Sequence, residues 1–440
     1  MKHQVTRRTL GFVAFIFALA VVRPLMAADL REFRGRTMGT TYMVKVAGAD
    51  SVSDDKLRLS IDLELRQVND QMSTYLDASE ITRFNQSSST DWFPVSSDFA
   101  GVVEFAQTIS EKTEGAFDVT VGPLVDAWSF GATERTHEVP SSETIKSLRR
   151  RVGYQKLSVR LDPPALRKSV PELRIDLSAI AKGHGVDRVL GRLASLGAAD
   201  VFVEVGGEVR TAGGKPDGPW RVGIQQPDAA SNVVMVAHEM KADDAAGNAM
   251  ATSGDYRNIF TVDGKTYSHT IDPRTGAPVT HHLASVTVVA PTCMEADAWA
   301  TALTVAGPTQ AVSIAERENL STLLITRTEE SRLEAEATGT LTQHLKQDAA
   351  PATSATSNSA DDASLLAQWI PLAMVSFAAF AILLTAMGVG VLLRGKPISG
   401  SCGGIASTTA EDGSTACSLC SSPSDACREL REKVASSGPQ

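Results

Sequence analysis

Cysteine is scarce and placed where it cannot bridge. The 440 residues hold five, and four of them lie beyond residue 400. Cys293 is alone in the rest of the chain, so no disulfide can form there. Basic runs long enough to grip a nucleic-acid backbone are also lacking, and the net charge is −9. Together these argue against nucleic acid as a partner. No repeat of solenoid period is found. Finally, charge is missing from one long stretch: Ala363 to Leu393 holds no Asp, Glu, Lys or Arg.

That stretch decides the compartment. About 20 apolar residues cross a bilayer core, so residues 365–393 are expected to form a transmembrane helix. Arg394 and Lys396 follow it and Asp361 and Asp362 precede it. Positive residues stay cytoplasmic, which puts the tail 394–440 inside and the middle of the protein outside. At the other end, Lys2, Arg7 and Arg8 precede an apolar run from Leu10 to Val22, with Ala27 and Ala28 after it. This is the layout of a secretory signal peptide over residues 1–28, with a twin-arginine hint at Arg7-Arg8. An uncleaved anchor is the alternative, because the A-x-A pattern is imperfect. The middle domain is therefore expected to be exported and held at a membrane, with the tail inside. In the reducing tail, Cys402, Cys417, Cys420 and Cys427 point to metal rather than to bridges.

Residues 29–345 have a mixed, globular composition, and 346–364 form a low-complexity linker. Strands and helices interleave with hairpin-like neighbours. The fold expected is therefore α/β or α+β with a mixed or antiparallel sheet. Arg36 to Val46 reads as a first strand with Gly39 at a turn or bulge. Asp54 to Tyr75 reads as an amphipathic helix on Leu57, Ile61, Leu65 and Val68, and Phe99 to Glu114 as another. Gly115 to Pro123 reads as a loop running into an extended piece. Leu173 to Leu177 reads as a buried strand, followed by a helix from Ser178 to Leu196. The Gly206-Gly207 pair is a kink between two strands. Ala249 to Tyr256 reads as a small-residue loop, and Val312 to Ile325 as a last helix and strand.

The chemistry concentrates between Thr266 and Leu303. Ser268-His269-Thr270-Ile271-Asp272 sets an imidazole near a carboxylate, before a Pro-Arg-Thr-Gly turn. Leu283 to Ala290 reads as a strand, and Met294 to Leu303 as a helix with Glu295, Asp297 and Thr301 near its start. Asp297 and Thr301 are four apart, so a helix turns both oxygens to one face. Such a face suits a hard cation such as Mg²⁺. Asp297 alone could equally serve the helix dipole, and Asp272 could orient His269 or merely start its turn. Two glycines beside Lys182 imply a close backbone approach at Gly183 and Gly185.

The ordered motifs resemble a known family. They are MGTTY at Met38, STY at Ser73, GAFDVTVGPLV at Gly115, IDLSAIAKG at Ile175 and VEVGGEV at Val203. ATSGDY at Ala251, YSHTIDPRTGAPV at Tyr267 and EADAWATAL at Glu295 complete the set. Over about three hundred residues they look like the ApbE family of FAD:protein FMN transferases, a T-fold-related α+β architecture. The resemblance implies Mg²⁺-dependent transfer of FMN from FAD to a threonine of a target protein, with release of AMP. The targets it implies are exported subunits of the Na⁺-translocating NADH:quinone reductase or the related Rnf complex. Carried over by motif, Met38, Tyr75, Ala116, Phe117, Asp118, Asp176, Lys182 and Ile271 would line the FAD site. The carbonyl of Ala179 with Asp297 and Thr301 would hold the metal, and His269 would be the catalytic base.

Three positions depart from the family pattern. Ala300 stands where some members have a second carboxylate, His184 where an aromatic or small residue is usual, and no lipobox cysteine lies near Ala27. The tail, from Met387 to Gly404 with Cys417, Cys420 and Cys427, resembles NqrM, a maturation factor of the same reductase. That implies iron supply or placement, with the four tail thiols as a possible iron or zinc site. Three rival readings remain: a carrier that holds FAD without transferring it, an FAD pyrophosphatase using water, and a non-catalytic assembly scaffold.

Overall fold

The computed structural model describes residues 30–348 apart from 133–135, 228–232, 242–245, 256–257 and 331, together with 408–409 and 415–416. Its main sheet is laid down in chain order. Arg31–Thr37, Thr40–Ala47, Asp200–Val205, Glu208–Ala212, Ala249–Gly254, Leu283–Ala290, Ser321–Arg327 and Leu333–Ala337 lie side by side in that sequence. Every neighbour is antiparallel. Residues 48–199, 255–282 and 291–320 are insertions between successive strands, and they carry most of the candidate site.

Both faces of the sheet are covered, which explains why Leu283–Ala290 is mostly apolar and buried at every residue, Ser285 and Thr287 included. On one face Val286, Val288 and Ala251 pack with Ala296, Ala298, Ala300 and Ala302 of the helix Cys293–Ala306. Val44, Val46, Val201 and Val203 pack there with Leu57, Ile61 and Leu65 of the helix Asp54–Met72 and Val186 and Val189 of the helix Ala181–Ser195. On the other, Phe202, Met250, Val289 and Leu323 meet Trp220, Ile224 and Met240 of the hairpin Trp220–Gln225/Val234–Met240. The two-residue period of each strand distributes its side chains between these layers.

Several expectations change. The first strand is a hairpin: Met38 and Gly39 both take positive φ, +47° and +73°, and join Thr37 to Thr40. Such a two-residue turn matches the twist of the strands it connects. The Gly206-Gly207 kink is a second such turn, with φ of +64° and +105°. Val119–Val121 is a 3-10 turn rather than extended, and it leads into the helix Gly122–Ala127. Ala249–Gly254 is an inner strand of the sheet rather than a loop. Its small residues match the alanine-rich helix packed on it. The predicted helix from Ser178 begins at Ala181, after a turn in which Asp176 accepts from the Ser178 backbone N–H at 2.7 Å.

Leu173, Ile175 and Leu177 are buried as expected, but they form no strand. Asn85 replaces the missing ladder. Its side chain donates to the Ile175 carbonyl and accepts from the Ile175 N–H, both at 2.8 Å. Asn85→Ala should therefore destabilise the protein by about 1–3 kcal/mol, the cost of leaving buried polar groups unpaired. Urea denaturation measures this; an unchanged midpoint would show that water satisfies both groups.

The chain divides into two compact units, Met1–Pro351 and Ala352–Gln440. In the second, Thr408–Thr409 pairs with Thr415–Ala416. The expected signal sequence 1–28, the expected membrane segment 365–393 and the four tail cysteines lie outside the described residues. Among the described residues no helix is long and apolar enough to cross a membrane.

Candidate active site

Two helix starts and two inter-strand loops converge on one cavity of about 350 Å³. The helix Ala181–Ser195 brings Lys182, and the turn before it brings Asp176 and Ala179. The helix Cys293–Ala306 brings Asp297 and Thr301. The loop between Gly254 and Leu283 brings His269 and Ile271, and the segment after Gly115 brings Ala116, Phe117 and Asp118. Tyr75 reaches the cavity from beyond the first helix and is 66% exposed. Met38 lies outside it. It lines an adjoining groove of about 960 Å³ that shares Tyr75, Phe130, Ser178, Lys182 and Asn258 with the cavity.

The two helix starts are locked together. Asp187 accepts from the Cys293 and Met294 N–H groups, each at 2.9 Å, and from Arg210 at 2.7 Å. A carboxylate at a helix N-terminus satisfies its free donors and its dipole. The contact is tight at Gly183, where a Cβ would lie 2.2 Å from the Cys293 carbonyl oxygen. The close approach implied by the glycines is thus made by a second helix. Gly185 is less constrained, because the atom a Cβ would meet is the flexible end of Met38.

Asp297 is 4% exposed. Its Oδ2 accepts from the Gly183 N–H at 3.0 Å, and Lys182 Nζ lies 3.5 Å from Oδ1. The same ammonium is 3.0 Å from Glu208 Oε1. Burial works against the charge of Lys182, but Asp297 and Glu208 outweigh it and hold the ammonium well above the usual lysine range. Burial raises the Glu208 carboxyl, and Asp297 adds to this while Lys182 opposes it. Glu208 was not singled out in the sequence. Its only signal there is a carboxylate directly after a Gly-Gly turn.

His269 follows the short strand Lys265–Ser268 and is held by its backbone, whose N–H donates to the Asn258 carbonyl at 3.0 Å. Its ring stands edge-on to Phe130, centroids 6.3 Å apart. Asp272 does not serve it through both oxygens, because both are engaged by Arg274 at 2.9 and 3.1 Å. Asp272 closes the Pro-Arg-Thr-Gly turn. Asp118 likewise spends its carboxylate on the fold, accepting from Thr120 N–H and Oγ1 and from Tyr154 N–H. It lines the cavity while fixing the loop that presents Ala116 and Phe117. Burial raises its pKa against those bonds.

The donors fit a hard divalent cation. Asp297, Thr301 and the Ala179 carbonyl offer oxygen only, and Glu208 lines the same cavity with its Oε2 buried and without a hydrogen-bond partner. Among the described residues no group of three or more His, Cys, Asp or Glu forms a metal cluster, so hydroxyl, carbonyl and water oxygens must contribute. Ala300 is 1% exposed and sits in the core, not in the cavity. Glu295 is also absent from the cavity lining.

His184 lines a separate depression with Glu64 and Arg188. Burial pulls its pKa from 6.5 down to about 4, opposed by Asp98 and aided by Arg188. The folded value lies below the unfolded one, so this stability is complete above 6.5 and is lost as pH falls toward about 4. Urea melts at pH 7 and pH 5 should show a smaller loss for His184→Gln than for the unsubstituted chain; equal losses would remove His184 from the account.

Comparison with known proteins shows what the chain is similar to. The model of the ApbE family matches residues 38–324, and that of (Na⁺)-NQR maturation NqrM matches residues 391–438. An FAD:protein FMN transferase of Vibrio cholerae is 44% identical over 305 residues, covering 69% of this chain and 89% of that protein. That of Escherichia coli K12 is 38% identical, covering 68% and 85%. The solved flavin transferase ApbE from Vibrio cholerae superposes with a TM-score of 0.66 at 41% identity, covering 72% of this chain and 99% of that one.

Proposed function

The chain belongs to the ApbE family, and from that premise we propose that it transfers the FMN half of FAD to a threonine hydroxyl of a partner protein. The observation that carries this reading is one cavity lined by His269, Lys182, Asp297, Thr301 and Ile271. The groove beside it gives room for a two-part ligand.

In the reaction the threonine oxygen attacks the FMN phosphorus. A phosphoester bond to threonine forms, the P–O bond to AMP breaks, and AMP leaves with the bonding electrons. His269 takes the hydroxyl proton as general base. Asp297, Thr301 and the Ala179 carbonyl would hold Mg²⁺, which when bound neutralises charge on the pyrophosphate. Lys182 adds a point charge beside it. Tyr75, Met38, Phe117 and Ile271 supply apolar contact for the flavin and adenine portions.

The acceptor we propose is an exported subunit of the Na⁺-translocating NADH:quinone reductase or of an Rnf complex, with the transferase domain on the periplasmic side of the inner membrane. The NqrM match at residues 391–438 supports the first. The thiols Cys402, Cys417, Cys420 and Cys427 would bind iron for assembly of that complex.

The test mixes the protein with FAD, Mg²⁺ and a candidate acceptor subunit and reads flavin fluorescence on a denaturing gel. Covalent flavin on the acceptor supports transfer. Free FMN and AMP without labelling would make the protein a pyrophosphatase, and neither product would make it a carrier or scaffold. Replacing Cys417 and Cys420 together should leave labelling intact and lower the iron content of the assembled reductase; full iron content would reject the tail's role.

A further inference from the structure

We infer that Lys182 is a built-in counter-cation that keeps the divalent-ion position between Asp297 and Glu208 until the metal is loaded, and that Glu208 then becomes a further oxygen donor to that metal. The inference rests on the flavin-transfer reading and adds to it a carboxylate and an exchange step.

Glu208 lies directly after the Gly206-Gly207 turn and is 5% exposed. One of its oxygens faces the ammonium of Lys182 at 3.0 Å, while Oε2 is buried without any partner. A buried carboxylate oxygen with no donor is costly and needs a reason. Oε2 belongs to the side chain that lines the cavity beside Asp297 and Thr301. Asp297 Oδ1 is 3.5 Å from the same ammonium. Two carboxylates thus share a single positive charge, and the trio carries one negative charge in excess.

A divalent ion in that place would match the two carboxylates and give Oε2 the partner it lacks. Lys182, 27% exposed at the end of a long stem, can turn into the cavity once displaced. The three side chains carry one net negative charge before loading and, together with the metal, one net positive charge after it, which suits an anionic pyrophosphate. Before loading, the ammonium offsets one carboxylate; afterwards the metal offsets both, and the ammonium is free to face the pyrophosphate. Ala300, buried in the core, offers no competing carboxylate.

A permanent salt bridge and an exchangeable one predict opposite signs. If Lys182 competes with the metal, removing it strengthens metal binding; if it only holds the carboxylates in place, removing it weakens binding. Calorimetric titration of the full chain with Mg²⁺, without FAD, reads this directly. Lys182→Met should bind Mg²⁺ about tenfold tighter, and Glu208→Gln about tenfold weaker, within the range that altered metal surroundings produce. Unchanged or weaker binding by Lys182→Met overturns the exchange, and unchanged binding by Glu208→Gln removes Glu208 as a donor. Should Lys182→Met fail to fold, Lys182→Gln, scored by the rise in melting temperature with added Mg²⁺, keeps the same sign test. Acceptor labelling by the unsubstituted chain is scored separately. Labelling without these shifts sinks only the exchange, and the shifts without labelling sink only the transfer reading.

Discussion

His269→Ala should slow flavin transfer by about 10²–10⁴, the range a general base contributes, while FAD still binds. The expectation follows from how the residue is held. Its backbone N–H is tied to the Asn258 carbonyl, and the next residue, Thr270, is tied to Val279 and to Ser268. The loop can therefore keep its shape without the ring, and the cavity keeps its other walls. Loss of rate with retained binding would separate chemistry from recognition. Single-turnover labelling of the acceptor at saturating FAD is the measurement. Near-normal turnover would reject His269 as the base, and lost FAD binding would make it a binding residue instead.

Asp297→Ala should raise the Mg²⁺ concentration needed for transfer by about 100-fold or more, since even an outer-shell partner is worth 10–100-fold in affinity. Asp297 has two tasks that the alanine abolishes together. One oxygen caps the Gly183 N–H, and the other faces Lys182 on the cavity side. Asp297→Asn separates them, because its amide oxygen can still accept from Gly183 while the charge is gone. The metal requirement should rise in both variants, and thermal stability should fall more in the alanine. A Mg²⁺ titration of transfer that superposes on that of the unsubstituted chain would take Asp297 off the ligand set.

Much of the site was legible because its signals are local. Asp297 and Thr301 share a face by helical spacing alone, and both line the cavity. The Gly183-x-Gly185 pair announced a close approach, though the backbone of a distant helix start, not a ligand, was the partner at Gly183. Errors arose where structure is made by something remote. Leu173–Leu177 has the composition of a strand, yet its backbone partner is a single side chain, Asn85, ninety residues earlier. Ala249–Gly254 has the composition of a loop, yet the sheet needs small residues there to admit the Cys293–Ala306 helix. The turn at Gly39 was legible, but the part of Met38 in it was hidden because methionine seldom takes positive φ.

Residue order alone determined the chemistry available to this protein: an imidazole before a tight turn, a carboxylate and hydroxyl one helical turn apart, and a lysine directly before two closely spaced glycines. It also determined a charge-free segment and a cluster of thiols beyond it. Periods of 2 and 3.6 residues are written into adjacent positions, so no distant contact is needed to read them. Only the folded chain decided that Asp272 belongs to Arg274 and that Ala300 belongs to the core. Only the fold, too, brings Glu208 beside Lys182 and Asp297. The physical reason is that two helix starts and a hairpin turn meet above one antiparallel sheet, and a buried charge is defined by whichever opposite charge that meeting leaves within reach.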